Sequence, residues 1–124
     1  MKKIREFFAR EQNLLIHILA SIVVTIFGIY FKLSIYEWML IYFMIGFVII
    51  SELINSGIEL AVDLYTKEFN PLAMVAKDVA AAAVVTSAFT ALIVGIYVFL
   101  PKIVLLIKMH IYMHFFVLFK QFIW

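Results

Sequence analysis

Three carboxylates and one amide recur along a single apolar stretch, ISELINSGIELAVDL at residues 50–64. At about 100° per residue, Glu52, Asn55, Glu59 and Asp63 fall within an arc of about 80° on one side of a helix. Such groups suit a divalent metal such as Mg²⁺ and phosphoryl transfer. A pathway for protons or ions would also use buried acids. Solvated helix ends that align by chance are the plain alternative, which fits Asp63 better than the more deeply placed Glu52.

The composition indicates that these groups belong to a membrane protein. Of 124 residues, 67% are hydrophobic and 15% charged, and the mean hydropathy is +1.13. Soluble domains carry about 25% charged residues. A carboxylate in the bilayer interior costs about 2.5–3.5 kcal/mol on insertion scales, so ionisable residues there are functional by default. The net charge of +2 does not indicate a nucleic-acid partner, and the chain has no cysteine for a disulfide or thiolate site.

Three helices must position the acidic stripe. The first is expected over about residues 14–31 and the second over about 35–64, because roughly 20 apolar residues cross the hydrocarbon core. Between them, Ser34 and Glu37 have the spacing of a capping box that starts the second helix.

The third helix is predicted to begin near Pro71 or Asp78 and to end at about residue 100, where Pro101 interrupts it. Residues 102–124 contain lysines and histidines among aromatic residues and offer only short uncharged runs. A separate helix lying in the membrane interface is therefore favoured over a fourth span. The predicted domains are residues 1–101, the transmembrane domain, and 102–124, a C-terminal segment without an assigned role.

Charge placement predicts the orientation. Basic residues cluster before the first helix and between the second and third: Lys2, Lys3, Arg5, Arg10, Lys67 and Lys77. Under the positive-inside rule both segments face the cytoplasm. Five acidic residues then converge on the cytoplasmic side from three helices: Glu11, Glu52, Glu59, Asp63 and Asp78.

Three stretches of the sequence carry a family resemblance. ELINSGIELAVD at residues 52–63 resembles the pattern E-x-x-N-[ST]-[AG]-I-E-x-x-x-D of the small bacterial membrane lipid kinases, the diacylglycerol kinase and undecaprenol kinase family. FNPLAMVAKDVAAAAV at 69–84 and EQNLLIH at 11–17 resemble two further family motifs at the expected separation. The resemblance covers roughly residues 10–101, and the residues of these motifs are closer to those of the undecaprenol kinase branch.

The resemblance implies a catalytic centre on the second helix and an assembly. Glu52 would be the general base that takes the proton from a lipid hydroxyl, and Asn55 would orient it. Asp63 would support the site from its cytoplasmic edge. The family fold implies an all-α integral membrane protein of the bacterial inner membrane, a homotrimeric bundle whose active sites are shared between neighbouring chains.

The resemblance also implies ATP as co-substrate and Mg²⁺ as cofactor. Six residues would bind them: Glu11, Glu59, Glu68, Asn70, Lys77 and Asp78. Of these, Glu11 and Glu59 would hold the metal.

The expected function is transfer of the ATP γ-phosphate to a membrane lipid, with undecaprenol as the first choice of acceptor and diacylglycerol as the second. A degenerate, non-catalytic homologue that kept only the helical scaffold is the alternative.

Overall fold

The computed structural model describes Met1 and residues 12–123, and these form three helices. Helix α1 spans Gln12–Tyr30, α2 spans Ile35–Tyr65 and α3 spans Pro71–Ile123. Each is long and apolar enough to cross a membrane. The prediction of an all-helical chain with three helices able to span a membrane is therefore confirmed in the described part of the chain.

The turn between α1 and α2 is tightly defined. Lys32 adopts a left-handed conformation with φ of 53°, and the Leu33 amide donates to the Gly28 carbonyl at 3.1 Å. The predicted capping box is confirmed, since the Glu37 amide donates to Ser34 Oγ and the Ser34 amide donates to Glu37 Oε2. These bonds satisfy backbone donors that a helix start leaves unpaired.

Gly28 sets how closely α1 approaches α2. A Cβ atom added there would lie 2.5 Å from the ring of Trp38, too close for any side chain without a shift of the indole. The adjacent core includes Leu33, Ile41 and Val98, which are buried together where all three helices meet.

Two ion pairs join α2 to α3 at opposite ends of their antiparallel contact. Lys77 Nζ lies 2.5 Å from Asp63 Oδ1, and Lys102 Nζ lies 3.0 Å from Glu37 Oε1. The pairs are about 26 residues apart on α2 and about 25 on α3, roughly 38 Å at 1.5 Å per residue. That length is close to the thickness of a bilayer with its headgroup regions, about 40–45 Å. We call the two ends of the bundle the Asp63 end and the Glu37 end.

The predicted end of the third helix at about residue 100 is wrong. Helix α3 continues through Pro101 for 53 residues. Proline removes one backbone donor and crowds the preceding turn, but a strong helical context on both sides accommodates this loss. The Lys102–Glu37 ion pair also holds the turn that contains Pro101 against α2. Residues 103–123 are exposed along their whole length, so no separate fourth helix is present in the described chain.

Candidate active site

The inner part of the acidic stripe of α2 is among the most deeply buried parts of the described chain. Glu52 is 1% exposed, Ser56 1% and Asn55 8%, whereas most of the large apolar side chains are exposed. A soluble protein has the opposite arrangement, since its charged residues are almost never fully buried. Asn55 and Ser56 follow Glu52 by three and four residues, so the three side chains lie on one face of the helix. The stripe predicted from the sequence therefore faces the inside of the bundle at Glu52 and Asn55, is half-buried at Glu59 and reaches the surface at Asp63.

The amide of Asn55 links the stripe to its next carboxylate. Asn55 Nδ2 donates to Glu59 Oε1 at 3.0 Å, a bond between neighbours one helical turn apart. Asn55 Oδ1 is buried and has no hydrogen-bond partner among the described residues. A buried acceptor without a donor costs about 1–3 kcal/mol. Asn55 was expected to orient Glu52, and its hydrogen bond in the structure goes instead to the expected metal ligand, Glu59.

Lys77 reaches the stripe from α3. Its ammonium group pairs with Asp63, the outermost carboxylate of the stripe, and the two side chains are 38% and 56% exposed. Such an accessible pair adds little to stability, because water screens it. Asp63 lies one turn beyond Glu59 on the same face of α2. A lysine therefore stands at the water-accessible end of a row of carboxylates that leads to Glu52.

Asp78 is not brought to the stripe. It follows Lys77, so it lies about 100° further around α3, and its side chain is exposed. Within one chain, Lys77 contacts α2, and Asp78 lies on the exposed surface of α3 to one side of that contact.

The two predicted loop residues differ in their contacts. Asn70 caps α3, because its Oδ1 accepts hydrogen bonds from the amides of Leu72 and Ala73 at 2.9 and 3.2 Å. Pro71 then occupies the first helical position, where its missing amide hydrogen costs nothing. Glu68 is exposed and its amide donates to Thr66 Oγ1. The structure thus gives Asn70 a capping role, while the Glu68 carboxylate faces solvent.

Metal binding was predicted for Glu11 and Glu59, and Glu11 lies outside the described residues. Among residues 12–123 no group of three histidine or acidic side chains is placed to hold a metal ion. Mg²⁺ needs only one or two protein carboxylates when water and substrate phosphates complete its shell. Glu59, half-buried and oriented by Asn55, suits that kind of partial site.

Two buried hydroxyl groups were not singled out from the sequence. Ser56 lies on the same face as Glu52, which helical spacing could have shown. Ser87 is 1% exposed, and its Oγ donates to the Val84 carbonyl at 2.8 Å. The two ion pairs fix the register of the antiparallel helices α2 and α3. In both pairs the two residue numbers add up to about 140, so the residues of α3 that are level with Glu52 are close to Ser87. That register depends on the tertiary pairing of the helices.

Long apolar helices around a buried acidic stripe define a helical membrane protein with a polar site inside its bundle. The profile of the prokaryotic diacylglycerol kinases matches residues 1–99, most of the chain, so the chain belongs to this family. Undecaprenol kinase of Bacillus subtilis (strain 168) is 45% identical over 93 residues, which cover 75% of this chain and 76% of that relative. No solved structure matches the chain. The family and this relative make the chain an ATP-dependent lipid kinase, as the motifs predicted.

Proposed function

We propose that this kinase phosphorylates undecaprenol, with Glu52 as general base. The observation that carries the proposal is the burial of Glu52, the most enclosed carboxylate described, inside a membrane bundle. Diacylglycerol is the alternative acceptor. The undecaprenol kinase of Bacillus subtilis, 45% identical over 93 residues, favours the prenol.

The depth of Glu52 in the bundle lets the lipid acceptor and the nucleotide approach it from opposite sides. Glu52 and Asp63 are about 16 Å apart along the axis of α2 at 1.5 Å per residue. A highly charged nucleotide stays near water at the Asp63 end, whereas a lipid alcohol reaches Glu52 from within the bilayer. Glu52 takes the hydroxyl proton, the alcohol oxygen forms a bond to the γ-phosphorus, and the bond from that phosphorus to the β–γ bridging oxygen breaks. Its electron pair leaves with ADP, and the proton passes from Glu52 to water.

Lys77 and Glu59 would serve the nucleotide side of the site. Lys77 exchanges its partner Asp63 for the β- and γ-phosphates, which is feasible because the pair is accessible. Glu59 and Glu11 would hold Mg²⁺, which supplies charge neutralisation on the phosphates when bound. The remaining nucleotide contacts are proposed for Glu68, Asn70 and Asp78. Asn70 would then contact the nucleotide through its amide nitrogen, because its Oδ1 caps α3.

The direct test is transfer of label from γ-labelled ATP by the purified protein in micelles that contain undecaprenol or diacylglycerol. We expect labelled undecaprenyl phosphate only when Mg²⁺ is present, and a much smaller product from diacylglycerol. If neither lipid is labelled while ATP and Mg²⁺ are saturating, the catalytic proposal is wrong and the non-catalytic scaffold remains.

We also propose a homotrimer in which neighbouring chains share each active site. The exposure of Asp78 supports it, because an exposed residue to one side of the α2 contact is free to reach the stripe of a neighbour. The test mixes two inactive variants, Glu52→Gln and Asp78→Asn, unfolded together and refolded as one population. A shared site predicts recovery of part of the wild-type rate in the mixture. Additive, near-zero activity would contradict sharing.

The same family and the basic flanks support a bacterial inner-membrane location with the Asp63 end in the cytoplasm. We propose that residues 102–123 then lie along the outer surface of the membrane. The ion-pair spacing places Lys102 at the bilayer boundary, so an axial continuation of about 31 Å would hold an apolar helix in water. Lying along the surface requires a sharp bend at Pro101, where α3 is continuous in the structure, and such a bend avoids this exposure. Because the chain has no cysteine, a Met113→Cys variant reports its side of the membrane to an impermeant maleimide.

A further inference from the structure

An apolar cavity of roughly 510 Å³ lies between the three helices, outside the acidic stripe. On α3 it extends from Ala88 to Ile103, about 22 Å at 1.5 Å per residue. The helix register puts Ala88 level with Glu52 and Ile103 at the Glu37 end. Val48, which lies one turn from Glu52 on α2, also lines it. The cavity therefore begins where the stripe ends and continues in the opposite direction from Asp63.

The polarity of the lining changes along the cavity. Of the sixteen residues that line it, only His17 and Ser21 have polar side chains. His17 lies in the first half of α1, which is the half nearer the Asp63 end, and Ser21 lies at its midpoint. The Ser21 hydroxyl donates to the His17 carbonyl at 2.7 Å, so its hydrogen is already used within α1. His17 thus gives the wall a polar group near Glu52, Ser21 lies near the middle of the cavity, and the wall towards the Glu37 end is apolar, which suits an amphiphile with one polar head.

We propose that this cavity holds the first prenyl units of the acceptor alcohol, an inference that rests on the proposed function. If the hydroxyl is at Glu52 and the nucleotide is on its Asp63 side, the tail must leave in the direction that the cavity takes. An engineered apolar cavity of about 150 Å³ binds one benzene, so roughly 510 Å³ accommodates a chain of about twenty carbons. One continuous cavity fits a single prenyl chain better than the two acyl chains of diacylglycerol.

Gly95 provides a way to fill the cavity. It lines the cavity, and a Cβ atom added there meets no atom within 4 Å, so a larger side chain begins in open space and extends into the cavity. Gly95 lies about eight residues, or roughly 12 Å, beyond the level of Glu52. A leucine there obstructs a long tail but not a short alcohol that ends before it. Gly46 is the matched control, because it is also helical and also has open space around its Cβ position, yet it does not line the cavity.

The experiment compares Gly95→Leu with Gly46→Leu on undecaprenol and on a short prenol such as geraniol. We expect Gly95→Leu to raise KM for undecaprenol by about tenfold or more, because the tail loses several buried methylenes. We expect KM for geraniol to stay within about twofold of the wild-type value, because this shorter alcohol loses no buried methylene when residue 95 is enlarged. Gly46→Leu leaves both values unchanged. Equal KM values for undecaprenol in the two variants would overturn the assignment. Loss of the oligomer in Gly95→Leu alone would also overturn it, because a second copy of the chain would then be the group that packs at Gly95.

A second measurement does not depend on turnover. An undecaprenol analogue with a photoreactive group in its third prenyl unit is cross-linked to the wild-type protein, and the labelled residue is found by mass spectrometry. Label on residues that line the cavity supports it, and label confined to residues 104–123 or to other residues outside the lining contradicts it. If cross-linking reaches the cavity but no lipid is phosphorylated, the proposed function fails while the binding site stands.

Discussion

The two ends of the α2–α3 pair use the same chemistry for different purposes. At each end a lysine of α3 pairs with a carboxylate of α2, at 2.5 Å for Lys77–Asp63 and 3.0 Å for Lys102–Glu37. The first pair is 38% and 56% exposed and the second 25% and 28%. Glu37 is also committed to the capping box with Ser34, whereas Asp63 continues a row of carboxylates.

The difference shows that an ion pair in a membrane protein is not by itself a sign of function. At the Glu37 end the carboxylate has a backbone partner and a lysine partner, and its neighbours are apolar. At the Asp63 end the pair leads inward to Glu59, Asn55 and Glu52. What separates the two ends is the presence of further buried polar groups, which only a site would retain at the cost of desolvation.

The largest effect is expected for Glu52→Gln. The substitution keeps the shape of the side chain and removes the group that accepts the hydroxyl proton, so kcat should fall by about 10²–10⁴-fold. Glu37→Gln, at the other end of α2, is the control and should keep kcat within about twofold, since loss of a partly exposed ion pair is a small effect. Labelled-ATP assays in micelles measure both. A Glu52→Gln enzyme with the wild-type rate would remove Glu52 as the base.

The second comparison removes each lysine in turn. Lys77→Met should reduce kcat/KM for ATP by about 10²–10³-fold, as the loss of one donor to a developing charge does. Lys102→Met should leave that ratio nearly unchanged and lower the thermal midpoint instead, because it releases the turn after Pro101 from α2. Kinetics and thermal unfolding in the same detergent distinguish the two. Similar losses of activity in both variants would mean that the ends are not functionally different.

Glu59→Gln tests the metal site. The Mg²⁺ concentration for half-maximal rate should rise by at least about tenfold, since even outer-shell partners of a metal contribute that much. The measurement is an Mg²⁺ titration at saturating ATP, with Glu37→Gln as the control. The same titration midpoint in Glu59→Gln and the wild type would exclude Glu59 as a ligand.

The smallest effect is expected at the start of α2. Ser34→Ala removes the acceptor for the Glu37 amide and should destabilise the protein by about 1 kcal/mol without changing kcat. Ser51→Ala is matched to it, because the Ser51 hydroxyl bonds only the Phe47 carbonyl of its own helix and its loss should be nearly neutral. Chemical unfolding of both variants measures the difference. Equal stability of the two would show that the capping box contributes nothing.

Local rules predicted much of the fold. Apolar length placed the three helices, and the Ser34–Glu37 spacing placed the start of α2 to the residue. Helical angles predicted the common face of Glu52, Asn55 and Glu59, and burial in the structure agrees with it. The roles of the candidate site residues stay predictions. The end of α3 was mispredicted, because one proline was weighted above the helical residues on both sides of it.

The sequence by itself determined the membrane class, the acidic stripe and the helices other than the end of α3, because apolar length, capping and helical angle depend only on neighbouring residues. The family motifs added the lipid kinase activity. Only the tertiary structure decided which polar groups meet across helices: Lys77 with Asp63, Lys102 with Glu37, and Ser87 level with Glu52. It also decided the cavity, whose walls come from three helices. Helix register and the gaps between helices result from side chains distant in sequence, so no local pattern specifies them.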